Sequence, residues 1–275
     1  MSKVETIRTG KLGKRELRLV RKGSSFIGIA DGKRCVEGDD ADDVWRKLHD
    51  DSGRGDPRYF GFDGARARFL HFFPDGFHSP DFAKSERGYK LEAKAKLDAT
   101  VPVEKALDGT GYGEAALAVY RATNLLASYE MMRQQEVLRG PRADAFVRAA
   151  ARFTLDPGKA SLRDMEAALK PHDNAKWTVV TYLPFLWKPE VHMFLKPEVT
   201  KDFATRVGHR FAADYEARLH LPVYESLLDL VAKTDVELKS LAPQDRIDIQ
   251  SFIWIIGNYL EEWAATSEAA PEAPQ

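Results

Sequence analysis

Apolar residues recur every second position at the start of the chain and every three to four positions almost everywhere after it. In "RELRLV", Leu17 and Leu19 share one face, and "SFIGIA" offers Ile27 and Ile29. Asp31-Gly32, between that run and "RCVEG", is a two-residue hairpin signal, so two or three antiparallel strands are predicted. The period then changes. "DDADDVWRKLHD" carries Val44, Trp45 and Leu48 on one helical stripe, with Asp39 or Asp40 placed to cap it and further carboxylates in its first turn. The Gly- and Pro-rich stretch 52–62, "SGRGDPRYFGF", marks the boundary of this small module, while Tyr59, Phe60 and Phe62 predict that the connection packs down rather than swinging free.

Beyond the boundary the pattern is helical. Asp63 precedes "GARARFLHFF", and Ser79-Pro80 is an N-cap with proline at the first helical position for a helix reaching about Leu97. Gly113 opens a long pattern from Glu114 to Leu138, in which Arg121 and Asn124 fall beside an apolar face, as a helix–helix contact or as substrate contacts. Gly140-Pro141 ends it. "RADAFVRAAARF" supplies the next helix, and Ser161 with Asp164 approximates a capping box before the one after. "PHDNAKWTVVTYLPFLW" is apolar nearly all round, which predicts a central buried helix capped by Asp173 or Asn174 and stopped or kinked at Pro184. The last stripes are Tyr224, Leu227, Leu228 and Val231, then Ile247, Phe252, Ile255, Ile256 and Leu260. The fold class predicted is α+β: residues 1–52 as a small β-rich module with one helix, 53–263 as a helical domain, and 264–275 as a disordered, low-complexity tail.

Composition narrows the function classes. The chain has 275 residues, 44% hydrophobic and 30% charged, with net charge −1, so no global pull toward nucleic acid exists. Locally, Lys3 to Lys22 is a basic arm, whereas "EGDDADDVWRKLHDDSGRGD" is acidic; the arm has either phosphate or this stretch to pair with. The single cysteine, Cys35, excludes an internal disulfide and a cysteine-rich zinc site. No secretory leader is legible, and the longest apolar run, Trp177 to Trp187, is too short for a bilayer core of about 30 Å, so the expectation is a cytoplasmic protein without a membrane partner. The histidines lack metal-ligand spacing, and no phosphate loop or nucleophile elbow is present; neither metal nor cofactor is expected.

Two segments concentrate possible chemistry. "WKPEVHMFLKPEVTK" repeats Lys-Pro-Glu-Val and gathers Glu190, His192, Lys196 and Glu198 within a short connection; proline followed by glutamate is also an ordinary helix start. "PQDRIDIQSFIW" draws Asp248 toward an apolar helix, where a carboxylate is either paired with a cation or functional.

Through "RYFGFDGARARFLHFFPDGFHSPDF", "YRATNLL", "HMFLKPEVT" and "IDIQSFIWIIG", nearly the whole chain resembles a group of uncharacterised bacterial proteins, which implies no activity. From about Leu169 to Gly257, "NAKWTVVTYLPFLWKPEVHMFL" and "IDIQSFIWIIG" also resemble, in order, parts of the helix-hairpin-helix DNA glycosylases. The hairpin glycines are missing from "KPHDNAK", and a glutamate stands where the family has aspartate. That resemblance implies Glu190 in the place of the catalytic aspartate, and Lys176 near the position of the Schiff-base lysine of bifunctional members. It further implies a base flipped into a pocket lined by Trp177, Tyr182 or Trp187, with phosphates on the basic arm.

The functional expectation is therefore a DNA-interacting protein, a base-excising glycosylase of genome maintenance or anti-phage defence, with Asp248 and Glu190 as carboxylates and Lys196 and His192 as accessory groups. The rival is a non-enzymatic interaction scaffold presenting the edge of its small sheet. A concave pocket holding Glu190 or Asp248 with a basic rim would favour the first. Capped or ion-paired carboxylates with an exposed apolar patch would favour the second.

Overall fold

The computed structural model describes residues 4–12, 15–53 and 60–259. It is α+β, an antiparallel sheet followed by a helical region. Four strands, β1 (Val4–Leu12), β2 (Arg15–Lys22), β3 (Ser25–Ala30) and β4 (Lys33–Gly38), form a meander in the order β1-β2-β3-β4. The sequence pattern missed β1, because Ile7 is the one apolar residue of its central stretch to pack inward and no alternation is visible. Asp31 and Gly32 both take left-handed backbone (φ 48° and 77°), the conformation that a two-residue hairpin needs. Helix α1 (Ala41–Gly53) lies across one face, with Val44, Trp45 and Leu48 against Leu17, Leu19 and Ala30. A Cβ on Gly28 would stand 3.1 Å from that of Leu48, so glycine lets the helix approach the sheet. Asp40 caps α1, its Oδ1 accepting from the backbone N–H of Asp43 at 2.7 Å.

The helical region comprises α2 (Gly61–Phe72), the single turn α3 (Pro80–Phe82), α4 (Gly88–Thr100), α5 (Val103–Ala106), α6 (Gly113–Tyr120), α7 (Ser128–Arg139), α8 (Ala143–Leu155), α9 (Lys159–Leu169), α10 (Trp177–Trp187), α11 (Pro197–Arg206), α12 (Phe211–Asp214), α13 (Leu221–Glu237) and α14 (Arg246–Asn258). Every residue of α10 is buried, as its all-round apolar pattern requires, and it packs on α4, α8 and α9. Pro184 is accommodated within the helix, which runs on to Trp187.

Local details differ from the pattern in four places. The run from Glu114 to Leu138 is two helices, separated at residues 121–127: Glu130 reaches back to the Ala127 N–H at 3.0 Å and starts α7 afresh. Lys176 is the N-cap residue of α10. Asp173 takes left-handed backbone before it, and buried Asn174 donates instead to the Glu130 carbonyl and to Gln134. Ser161 lies inside α9, its hydroxyl donating to the Gly158 carbonyl at 3.1 Å. The stretch expected as one helix from Ser79 to about Leu97 is α3, a π-helical turn (Ala83–Arg87) and α4.

The small module and the helical region meet through charged groups. Asp42 of α1 pairs with Arg8 of β1 at 2.6 Å and Arg210 at 3.6 Å, and Arg210 also reaches Asp229 of α13 at 3.2 Å. The basic arm thus meets the acidic stretch through Arg8 and through Arg15, which donates to the Ser52 carbonyl at 3.3 Å, while Arg21 pairs with Glu5 and Arg15 also with Asp31. The connection expected to pack down lies largely outside the described residues, although the Phe60 N–H donates to the Arg206 carbonyl at 3.2 Å. The tail, 264–275, lies outside them altogether. Among the described residues no helix is long and apolar enough to cross a membrane.

Candidate functional site

The π-helical turn inserts an extra residue per turn between α3 and α4, a distortion that recurs at functional sites. Gly88 permits it, since a Cβ there would lie 3.1 Å from the Ala83 carbonyl oxygen. The turn brings Glu86, Arg87 and Lys90 inward against α14, where Asp245, Asp248 and Ser251 face them. Arg87 is clamped. Its Nη1 donates to Asp245 Oδ1 at 2.9 Å and to Asp248 Oδ1 at 2.6 Å, and its Nη2 to Asp245 Oδ2 at 2.7 Å. Asp245 also caps α14 by accepting from the Ile247 N–H at 2.8 Å. Asp248 is wholly buried and takes a second bond from the Gln244 N–H at 2.8 Å. Burial pushes its carboxyl above the usual range, against the pull of the Gln244 N–H and of Arg87.

Lys90 is the second buried cation, at 0% exposure. Its Nζ donates to Ser251 Oγ at 2.8 Å and lies 3.5 Å from Glu86 Oε2. Ser251 in turn donates to the Ile247 carbonyl, and Tyr259 donates to Glu86 Oε1 at 2.7 Å. Burial brings the Lys90 ammonium down to about 8, with Glu86 opposing the shift. The phenols of Tyr89 and Tyr259 are pushed up, first by burial and then by Glu86.

This cluster lies beside a small cavity of about 60 Å³, lined by Glu86, Tyr89, Lys90, Asn124, Lys196, Gln250 and Trp254 together with Ser85 and Leu125. That volume accommodates roughly four water molecules. Lys196, the N-cap residue of α11, lies with its Nζ 4.6 Å from the centre of the Trp254 ring and has no ion-pair partner among the described residues. Burial lowers its ammonium from the usual value, with the Glu130 carboxylate opposing the shift. Gln250 is buried at 5% exposure, and its amide oxygen has no hydrogen-bond partner.

The residues singled out from the sequence separate into two groups. Lys196 and Asn124 meet at the cavity, and Asp248 lies behind it in the Arg87 clamp. The others lie elsewhere. Glu190 is exposed on the turn after α10, where the Arg246 N–H donates to the Pro189 carbonyl and the Arg246 guanidinium to the Val191 carbonyl. His192 is buried between the Thr154 carbonyl and the Tyr224 hydroxyl, each 2.8 Å away. A carbonyl can only accept, so Nε2 carries the proton, Nδ1 accepts from Tyr224, and the ring is neutral; burial accordingly lowers its pKa below the usual histidine value. Three aromatics expected around a flipped base are core residues: Trp177 donates to the Glu216 carbonyl, Tyr182 stacks on Tyr120, and Trp187 donates to the Val101 carbonyl. Arg121 is exposed and bonds Gln135. Lys176 is half-buried at the start of α10. Of the doubled Lys-Pro-Glu-Val, the second copy starts α11 and the first forms a turn.

Sequence reasoning missed Glu86, Arg87 and Lys90. The signal was present: positions 86, 90, 93 and 97 form one helical stripe, and a glutamate and lysine in line with buried Ala93 and Leu97 imply a buried pair. Among the described residues, no group of three or more His, Cys, Asp or Glu side chains could hold a metal ion. Comparison with protein-family models, curated proteins and solved structures finds no match for this chain.

Proposed function

We propose that the protein binds a small organic anion in the cavity between α4, α11 and α14. The observation that carries this reading is Lys196, a half-buried cation with no carboxylate in ion-pair contact among the described residues and Glu130 acting on it only at a distance, at a cavity where Gln250 presents an unpartnered amide oxygen. A buried acceptor and a half-buried cation that no carboxylate contacts are both costly, and one ligand satisfies both. Its anionic group meets Lys196, and a hydroxyl or amine on the neighbouring carbon donates to Gln250. The volume limits it to about five heavy atoms, the size of a 2-hydroxy acid such as glycolate. Asn124, exposed on the loop between α6 and α7, stands at the cavity's edge.

Base excision on DNA, the narrower reading that the glycosylase resemblance implies, remains a competing proposal. It requires the cavity to open enough to take a base, with a carboxylate free to stabilise the sugar cation. Against it stand the small volume and the clamped state of Asp248. The scaffold reading has the paired Asp248 in its favour. Its apolar patch is not evident among the described residues, since of the exposed large apolar side chains Val4, Leu91, Tyr129, Met132, Leu155, Val191 and Val236 only Tyr129 and Met132, both on α7, share an element.

Calorimetric titration with glycolate, acetate and inorganic phosphate, and in parallel with duplex DNA across a salt series, tests the proposal. Glycolate binding that weakens at least tenfold in Lys196→Met, and binding of acetate weaker than that of glycolate, are expected. Salt-sensitive DNA binding with no response to glycolate would overturn the anion reading in favour of the DNA one.

A further inference from the structure

Beyond binding, we infer that Lys90 is a nucleophilic amine that condenses with the carbonyl group of a small oxo acid held in this cavity. The inference rests on the proposed small-anion site, and it assigns that site a chemistry.

The geometry has three parts. Lys90 lines the cavity from α4 while Lys196 enters from the start of α11, so the two amines approach one ligand from different elements. Lys196, on which Glu130 acts only at a distance, is open to a ligand carboxylate, whereas Lys90 already has Glu86 at 3.5 Å. Glu86 is fixed from its other oxygen by the Tyr259 hydroxyl at 2.7 Å, which leaves Oε2 directed at the lysine. A carboxylate held beside an amine in this way can accept its proton and return it.

The step balances without an external co-reactant. Lys90 gives one proton to Glu86 and becomes a free amine. Its nitrogen attacks the carbonyl carbon, the carbon–nitrogen bond forms, and the carbonyl oxygen takes the proton back as a hydroxyl. Loss of that hydroxyl with one of the two protons left on the nitrogen releases water and leaves a protonated imine, with Glu86 again a carboxylate. The hydrated form of an aldehyde acid also supplies a hydroxyl that donates to Gln250. Charged and titratable groups around the amine are Glu86, Arg87 and Tyr89 on its own segment, Asp248 on α14, Lys196 at the start of α11, and Tyr259.

Burial supports the assignment. With its ammonium near 8, Lys90 holds a free-amine fraction at pH 7.5 roughly two hundredfold above that of an ordinary surface lysine.

The experiment uses the full chain with glyoxylate as probe and borohydride to reduce any imine, followed by peptide mapping for carboxymethylated lysine. Glycolate titration is run on the same preparation. Expected are labelling of Lys90 at least tenfold above the mean of the other lysines, a rise with pH centred near 8, and protection by excess glycolate. Lys90→Gln should lose the label, and Lys196→Met should lower it at least fivefold for glyoxylate while leaving the uncharged probe glycolaldehyde unaffected. The wild-type peptide map needs no variant, so a misfolded substitution leaves the result decisive. Glycolate binding with no preferential label on Lys90 would overturn the imine chemistry and leave the binding site standing. Absence of both would overturn the two together.

Discussion

Replacing Lys90 by methionine isolates the buried ion pair between α4 and the π-helical turn that precedes it. Lys90 and Glu86 are at 0% and 5% exposure. Methionine fills much of the lysine's volume, yet it leaves Glu86 with the Tyr259 hydroxyl alone and removes the donor from Ser251 Oγ. Leaving a buried charge unpaired costs about 3 kcal/mol or more, whereas removing both charges together is often neutral. Lys90→Met should therefore lower the unfolding free energy at pH 7.5 by about 3 kcal/mol, and Glu86→Gln combined with it should recover most of that loss. The pH dependence gives a second, independent reading. In the folded protein the ammonium lies at about 8, against 10.5 in the unfolded chain. Between those values the unfolded chain binds the proton that the folded one has released, so the stability linked to this lysine is present above pH 10.5 and lost as pH falls through 8. The shift of about 2.5 pH units corresponds to about 3 kcal/mol. Urea unfolding of the wild type and of Lys90→Met at pH 7.5 and pH 10 measures it: the difference in stability should widen in favour of the wild type at the higher pH. A difference independent of pH would show that burial does not hold the ammonium down, and the reasoning would fail.

Other substitutions separate framework from site. Asp248→Asn removes the carboxylate that Arg87 and the Gln244 N–H share, and should cost about 2–4 kcal/mol in denaturant unfolding. His192→Leu strands the Thr154 carbonyl and the Tyr224 hydroxyl at a cost of about 2–3 kcal/mol, with glycolate affinity unchanged by calorimetry. His49, buried with both ring nitrogens unpartnered, is brought down to about 4 by burial and by His209. Its share of stability is present above about pH 6.5 and lost as pH falls through 4, amounting to about 3 kcal/mol. His49→Phe should flatten that part of the acid limb in melting curves taken from pH 7 to pH 4.

The α+β class was legible because the change of hydrophobic period near residue 39 reflects a real change of layer. The buried α10 was legible because it has no polar face. What escaped was anything set by a tertiary contact. The break between α6 and α7 depends on Glu130 returning to Ala127, and residues 121–127 carry no glycine or proline to announce it. Asp248 was visible as a carboxylate in an apolar helix. Its partner Arg87 is 161 positions away and sits on a π-helical turn that no local pattern marks. Lys196 and Asn124 drew notice for reasons of local sequence. Their meeting at one cavity is a product of chain topology.

On this reading the cavity between α4, α11 and α14 is a ligand site. A crystal structure of the full chain grown with glycolate tests it most directly. The carboxylate should lie within ion-pair distance of Lys196 Nζ and the hydroxyl on the Gln250 amide oxygen. Ordered water alone at that position, under glycolate concentrations that saturate a millimolar site, would contradict it.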